Sequence, residues 1–178
     1  VQTCALPISG LRRVSIAKVR GTRDLLPDDM IALQRVEQAA HDVFARFGYG
    51  EIRTPMFERT ELFVRGIGEG TDIVSKEMYT FEDRGGRSIT LRPEGTAGVV
   101  RACLEQNLFK QCPVQKLYYV GPMFRYERPQ AGRYREFWQA GIEAFGVSDA
   151  IIDAETLVCA YEFVSELGIK PVEIRLNS

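Results

Sequence analysis

Beyond a basic lead-in, apolar residues Val36, Ala40, Val43, Phe44 and Phe47 recur at the three- and four-residue spacing of a helix. Pro27-Asp28-Asp29 opens that helix and Gly48 stops it. His41 lies inside it and, with no partner nearby in sequence, reads as an ordinary core or surface residue. The stretch "GYGEIRTPMFE" then predicts a strand terminated at Pro55, since proline cannot donate to a ladder and keeps Thr54 extended. A short helix follows around 59–64. "GIGEGTD" (66–72) carries Gly66, Gly68 and Gly70, but it follows a helical pattern and has the wrong third spacing for a dinucleotide loop, so it reads as a plain loop. Strand-like 79–81 and 88–91 flank the two glycines of 83–87, the signature of a hairpin. A helix over about 96–106 comes next, then the strand "KLYYVGPMFRYE", the loop "RPQAGRY" and a returning strand "REFWQAGIEAFG". An amphipathic helix at 149–167 and a last strand, "VEIRLN", complete an α+β pattern: an antiparallel sheet flanked by helices.

Alternation along 135–144 places Trp138, Ala140, Ile142 and Ala144 on one face, which reads as core. Arg135, Phe137, Gln139, Gly141 and Glu143 share the other. Phe137 and Gly141 make that face a poor solvent face, Gln139 and Glu143 make it a poor core, and it suits a floor for a flat ligand. Arg125, Arg128, Arg133 and Arg135 crowd the same hairpin without a lysine, and Arg125 and Glu127 share a face. The planar guanidinium fork binds phosphate oxygens in two-point geometry and also stacks on rings. Arginines around an aromatic floor therefore point to a nucleoside triphosphate.

With 23 basic and 24 acidic residues in 178, no overall basic field exists, so any nucleic-acid contact must rest on local patches. Cys4, Cys103, Cys112 and Cys159 show no C-x-x-C spacing and there is one histidine, which disfavours a zinc site and points to reduced thiols in a cytoplasmic protein. No apolar run approaches the roughly 18 residues of a membrane span. Residues 1–9, "VQTCALPIS", look like a translated sequencing adapter and are expected to be extraneous to the fold, with one unit filling 18–178.

"GPMFRYERPQAGRYREFWQAGIEAFG" resembles motif 2 of the class II aminoacyl-tRNA synthetases, and of the histidyl-tRNA synthetase family in particular. "FGYGEIRTPMFE" is similar to that family's motif 1, and "TLRPEGTAGVVRA" to its amino-acid-binding segment. The resemblance implies ATP-dependent activation of L-histidine to histidyl-adenylate and transfer to histidine tRNA, with Mg²⁺ on the leaving pyrophosphate. By position it implies that Arg125 is catalytic, on the α-phosphate, and that Glu127, Arg133 and Phe137 hold the rest of ATP. Glu94, Thr96 and Gln139 would receive the histidine α-ammonium, Gly95 would also belong to the histidine site, and Glu143 would take the imidazole, roughly 13 Å beyond Gln139 at about 3.3 Å per residue. A homodimer through motif 1 is expected, and no metal held by the chain itself.

The family's motif 3, its second ATP arginine, the glycine- and tyrosine-bearing "histidine A" segment and an anticodon-binding domain have no counterpart in this sequence. The expectation is an amino-terminal piece of a synthetase, inactive alone. The main rival is the non-catalytic paralogue that serves as regulatory subunit of ATP phosphoribosyltransferase, which shares the fold. A synthetase-like domain of a stress-sensing kinase is a third reading. "RPEGT" together with Arg125, Glu127 and Arg133 favours the enzyme.

Overall fold

The computed structural model describes residues 16–68, 70–128, 130 and 132–176. The nonapeptide 1–9 and Cys4 lie outside them.

Helix α1 (Pro27–Arg46) starts where expected: Pro27 takes the first helical position, and the Leu26 N–H donates to the Asp29 carboxylate at 3.1 Å. Its apolar stripe, Ala40, Val43 and Phe44, is buried, and Gly48 leaves the helix at φ +78°, a conformation that favours glycine. The chain then forms β1 (Gly50–Glu51), β2 (Phe57–Arg59), α2 (Thr60–Ile67), a π-helical turn (Ile73–Glu77), β3 (Thr80–Glu82) and β4 (Ser88–Leu91). Helices α3 (Thr96–Glu105) and α4 (Leu108–Gln111) lead to the long hairpin β5 (Gln115–Phe124) and β6 (Glu136–Phe145), and α5 (Ala150–Glu166) follows. Asp149 caps α5 by accepting the Ile151 N–H at 2.9 Å.

Two three-stranded sheets result, ordered β1-β5-β6 and β2-β4-β3. The first is the body of the fold. On one face Ala140, Ile142 and Ala144 of β6, with Tyr118 of β5, meet Ala40, Val43 and Phe44 of α1 and Cys159 and Phe163 of α5. The Phe44 ring lies 5.2 Å from Tyr118 and 5.0 Å from Phe163. Lys116 ties this layer together: its ammonium reaches the Phe47 carbonyl, sits 2.6 Å from Glu155 and lies 4.8 Å above the Tyr49 ring. On the other face Tyr119, Met123, Phe137 and Phe145 pack with Val99 and Cys103 of α3. Burying each large side chain of these two layers is worth about 1.5–3 kcal/mol.

Arg92, between β4 and α3, joins the two sheets. It is 8% exposed; its Nε donates to the Pro122 carbonyl (2.9 Å), and Nη1 donates to the carbonyl and the hydroxyl oxygen of Thr54 (3.0 and 3.3 Å). Its backbone N–H donates to Met56, and its carbonyl accepts from Phe124, both at 2.9 Å.

Several expectations need correction. The segment before Pro55 is not one strand ended by the proline. Pairing covers Gly50–Glu51, with one further bond from the Ile52 N–H to Tyr118, and Phe57–Arg59 beyond the proline joins the other sheet. The β1–β5 pair is parallel, so the main sheet is mixed and only its β5–β6 hairpin is antiparallel. Helix α4 and the π-helical turn carried no sequence signal long enough to read. The last predicted strand is absent among the described residues 172–176, where no neighbouring strand offers a ladder. Cys103, Cys112 and Cys159 are free; burial pushes the Cys159 thiol up to about 11, which keeps it protonated.

Candidate active site

The face of β6 that read as neither core nor solvent forms a row with its partners on β5. In order from the hairpin tip, Phe137 pairs with Met123, Gln139 with Gly121, Gly141 with Tyr119 and Glu143 with Leu117. Because cross-strand partners share a face, each glycine leaves a vacancy that a neighbour fills. A Cβ on Gly121 would lie 2.6 Å from the Arg92 guanidinium, and one on Gly141 2.4 Å from the Tyr119 ring. The gap expected to admit a flat ligand is therefore occupied by Tyr119. The same ring blocks a Cβ on Gly95, at 2.3 Å, so two glycines on separate elements clear space for one tyrosine.

Around that ring lies an acidic cluster built on the start of α3. Glu94 accepts the backbone N–H groups of Thr96 (2.6 Å) and Ala97 (3.0 Å), satisfying two donors that a helix start leaves open. The Thr96 hydroxyl donates to Glu143 at 2.6 Å. Burial raises the Glu143 carboxyl above its ordinary range, the Thr96 hydrogen bond pulls it back, and the Glu94 charge pushes it up again. Burial also raises the Tyr119 hydroxyl, against a hydrogen bond with Thr96. Two carboxylates converging on one small space make a well for a cation. Gln139 adds a polar end: its side-chain carbonyl oxygen is buried and has no partner. Such an atom is costly unless something fills it.

At the tip of the hairpin Arg125 stands past the end of β5. Its Nε donates to the Pro93 carbonyl (2.8 Å), and its guanidinium carbon lies 5.2 Å from the centre of the Phe137 ring. Arg133 reaches the Glu127 carboxylate at 3.4 Å. Arg135 instead stacks on Tyr126 at 4.0 Å and donates to the Glu127 carbonyl at 3.3 Å.

The family model described as histidyl-tRNA synthetase matches residues 21–178. The chain belongs to the histidyl-tRNA synthetase family. It is 59% identical over 163 residues to the histidine–tRNA ligase of Desulforudis audaxviator, a match covering 92% of this chain and 39% of that protein. It is 60% identical over 161 residues to the histidine–tRNA ligase of Geobacillus thermodenitrificans, covering 89% and 38%. Among solved structures, apo histidyl-tRNA synthetase of Staphylococcus aureus superposes with a TM-score of 0.72 at 43% identity, over 87% of this chain and 35% of that one. A Bacillus halodurans protein described as an ATP phosphoribosyltransferase regulatory subunit/histidyl-tRNA synthetase shares the fold, with a TM-score of 0.76 at 23% identity over 90% and 40%. The chain thus spans about two-fifths of the length of the curated relatives it matches.

Of the residues that likeness to histidyl-tRNA synthetases singles out, Glu94, Gly95, Thr96 and Glu143 meet around Tyr119, and Arg125 and Phe137 meet at the hairpin tip. Glu127 and Arg133 pair with each other in the loop. The strand-rise distance from Gln139 to Glu143 is not the span of the site, because Thr96 arrives from α3 and touches Glu143 directly. Sequence reasoning missed Tyr119 and Arg92. The glycines opposite and beside them were the available signal.

Proposed function

We propose that the full-length protein carrying this segment activates L-histidine with ATP and transfers the histidyl group to histidine tRNA. The observation that carries this is the row on β6 and its surroundings: an arginine stacked on an aromatic ring at one end, an unfilled amide oxygen in the middle and two carboxylates at the other. ATP needs the first; an amino acid's ammonium needs the amide oxygen and one carboxylate, and an imidazole N–H needs the other carboxylate.

Arg125 faces the reacting α-phosphate, where a carboxylate attacks phosphorus and negative charge builds. A fixed donor there is worth about 3–4 kcal/mol by analogy with oxyanion donors. Phe137 floors the adenine end, and Glu127 and Arg133 bracket the bent nucleotide. Gln139, Glu94, Gly95 and Thr96 take the α-ammonium, and Glu143 takes the ring. Among the described residues no three His, Cys, Asp or Glu side chains converge on one point. The Mg²⁺ that such chemistry uses is assigned to the phosphates of ATP, its usual partners, where it neutralises the leaving pyrophosphate. Exposed Trp138 and Met56, in a groove of about 670 Å³ beside α1, support a homodimer through this region.

The deciding experiment is exchange of labelled pyrophosphate into ATP by the full-length protein. Exchange that requires histidine and is not supported by other amino acids bears the reading out. A folded protein that shows none overturns it in favour of the ATP phosphoribosyltransferase regulatory subunit.

A further inference from the structure

Two segments with no role in the site so far grip the base of the arginine hairpin. Past the rung Phe124–Glu136, the Arg125 N–H still reaches the Arg135 carbonyl at 3.0 Å. The Tyr126 N–H goes instead to the Glu77 carbonyl at 2.7 Å, and the Arg135 N–H to the Gly21 carbonyl, also at 2.7 Å. Glu77 ends the π-helical turn that follows the glycine-bearing stretch 66–72. Gly21 sits in a turn fixed by the Thr22 N–H and hydroxyl on the Val19 carbonyl (3.1 and 2.8 Å), at φ +89°, where a side chain is strained.

Side chains reinforce both grips. Tyr126 is 53% exposed, so burial does not hold its ring; contacts do. The Arg135 guanidinium lies 4.0 Å from its centre, and Tyr79 meets it edge-on at 5.5 Å and 76°. On the other side the Arg23 guanidinium lies 5.1 Å from the centre of Tyr134.

We propose that the Val19–Thr22 turn and the segment from Ile73 to Tyr79 form a two-sided clasp on the hairpin, and that Tyr126 is the positioning residue through which the second segment sets the stance of Arg125, Glu127 and Arg133. This rests on the reading of those three as ATP contacts. Backbone carbonyls place the two strand ends, and the stacked Tyr126 ring locks the Arg135 side chain away from the nucleotide, so that the remaining arginines meet the phosphates already oriented. Preorganised donors serve a developing charge best.

The test uses Tyr126→Ala, Tyr126→Phe, Tyr79→Leu and the pair Tyr126→Ala/Tyr79→Leu in the full-length protein, with histidine-dependent pyrophosphate exchange as readout. Losing the ring removes one cation–ring and one edge-on contact, so Tyr126→Ala is expected to raise the KM for ATP about five- to tenfold. The KM for histidine should move less than about twofold. Tyr126→Phe should behave as the unaltered protein, and the double variant should be no worse than Tyr126→Ala alone, because both changes break one contact chain. Unchanged KM for ATP in Tyr126→Ala, additive losses in the double variant, or equal damage in Tyr126→Phe would overturn the clasp. Arg125→Ala run alongside separates the two levels: if it also leaves kcat/KM for ATP untouched, the nucleotide reading falls, and if it alone impairs ATP use, only the clasp does.

Discussion

The ring of Tyr119 stands where a side chain on Gly141 would stand, 2.4 Å from the place its Cβ would take. The two residues face each other across the β5–β6 ladder, and the ring's other flank presses on Gly95. Tyr119 is thereby fixed between the residues proposed for the ammonium and those proposed for the imidazole.

Gly141→Ala should accordingly destabilise the protein by about 1–3 kcal/mol, the usual cost of overpacking. Urea unfolding reads this directly. Adding Tyr119→Leu to the same protein should recover most of the loss. A Gly141→Ala protein that unfolds at the unaltered urea midpoint would show the ring to lie elsewhere.

Glu143 links stability to pH. Its folded carboxyl is raised above the ordinary 4.5, chiefly by burial. As pH climbs from that value, the unfolded chain loses this proton before the folded one does, so stability declines through the window and the deficit persists at neutral pH. Glu143→Gln keeps an acceptor for Thr96 without the charge. It should be more stable than the unaltered protein at pH 7, with the advantage shrinking as pH falls towards 4.5, as followed by thermal unfolding across pH.

Removing the carboxylate altogether tests selectivity. If Glu143 takes the imidazole as proposed, Glu143→Ala leaves that donor unpaired in a partly dry site, a cost of about 1–3 kcal/mol. Histidine affinity should fall about 5- to 150-fold while ATP affinity barely changes, measured by titrating each ligand separately. Equal weakening of both would indicate general damage, and unchanged histidine binding a purely structural carboxylate.

Arg125→Lys preserves charge but loses the planar fork that reaches Pro93 and lies over Phe137. We expect histidine-dependent exchange to drop about 10²–10³-fold. A fall below tenfold would mean that charge alone suffices at this position.

Trp138 carries the association prediction. It is 39% exposed on a strand face whose next residues, Ala140, Ile142 and Ala144, are packed against α1 and α5. A self-complementary contact is the common use of such a surface. The full-length protein should sediment as a dimer at micromolar concentration and Trp138→Glu as a monomer. A dimer that survives this change forms through another surface.

Patterns that depend on near neighbours were legible in the sequence. Helix α1 announces itself by period and by its Pro-Asp-Asp start, and the β5–β6 hairpin by alternation, which alone puts Gln139 and Glu143 on one face. What escaped depends on partners distant in the chain. The face of Trp138 read as uniform core, yet Trp138 itself is 39% exposed in the groove beside α1. The opposite face read as a ligand floor throughout, yet Phe145 and one side of the partly buried Phe137 also pack in a second core layer with Tyr119 and Met123. Gly141 looked like an opening because a glycine's vacancy carries no record of who fills it. The short pairing of β1 with β5, only two residues long, is set by tertiary contact rather than by strand propensity.

Arg92 has a mechanical meaning beyond holding two sheets together. Its guanidinium grips Thr54 and Pro122, and the residue after it offers the carbonyl on which Arg125 rests. The groove beside α1 is lined by this same side chain. One short stretch, Arg92-Pro93, therefore serves two places at once: its guanidinium fastens the groove wall at Thr54 and Pro122, and its next carbonyl seats the Arg125 side chain at the hairpin tip.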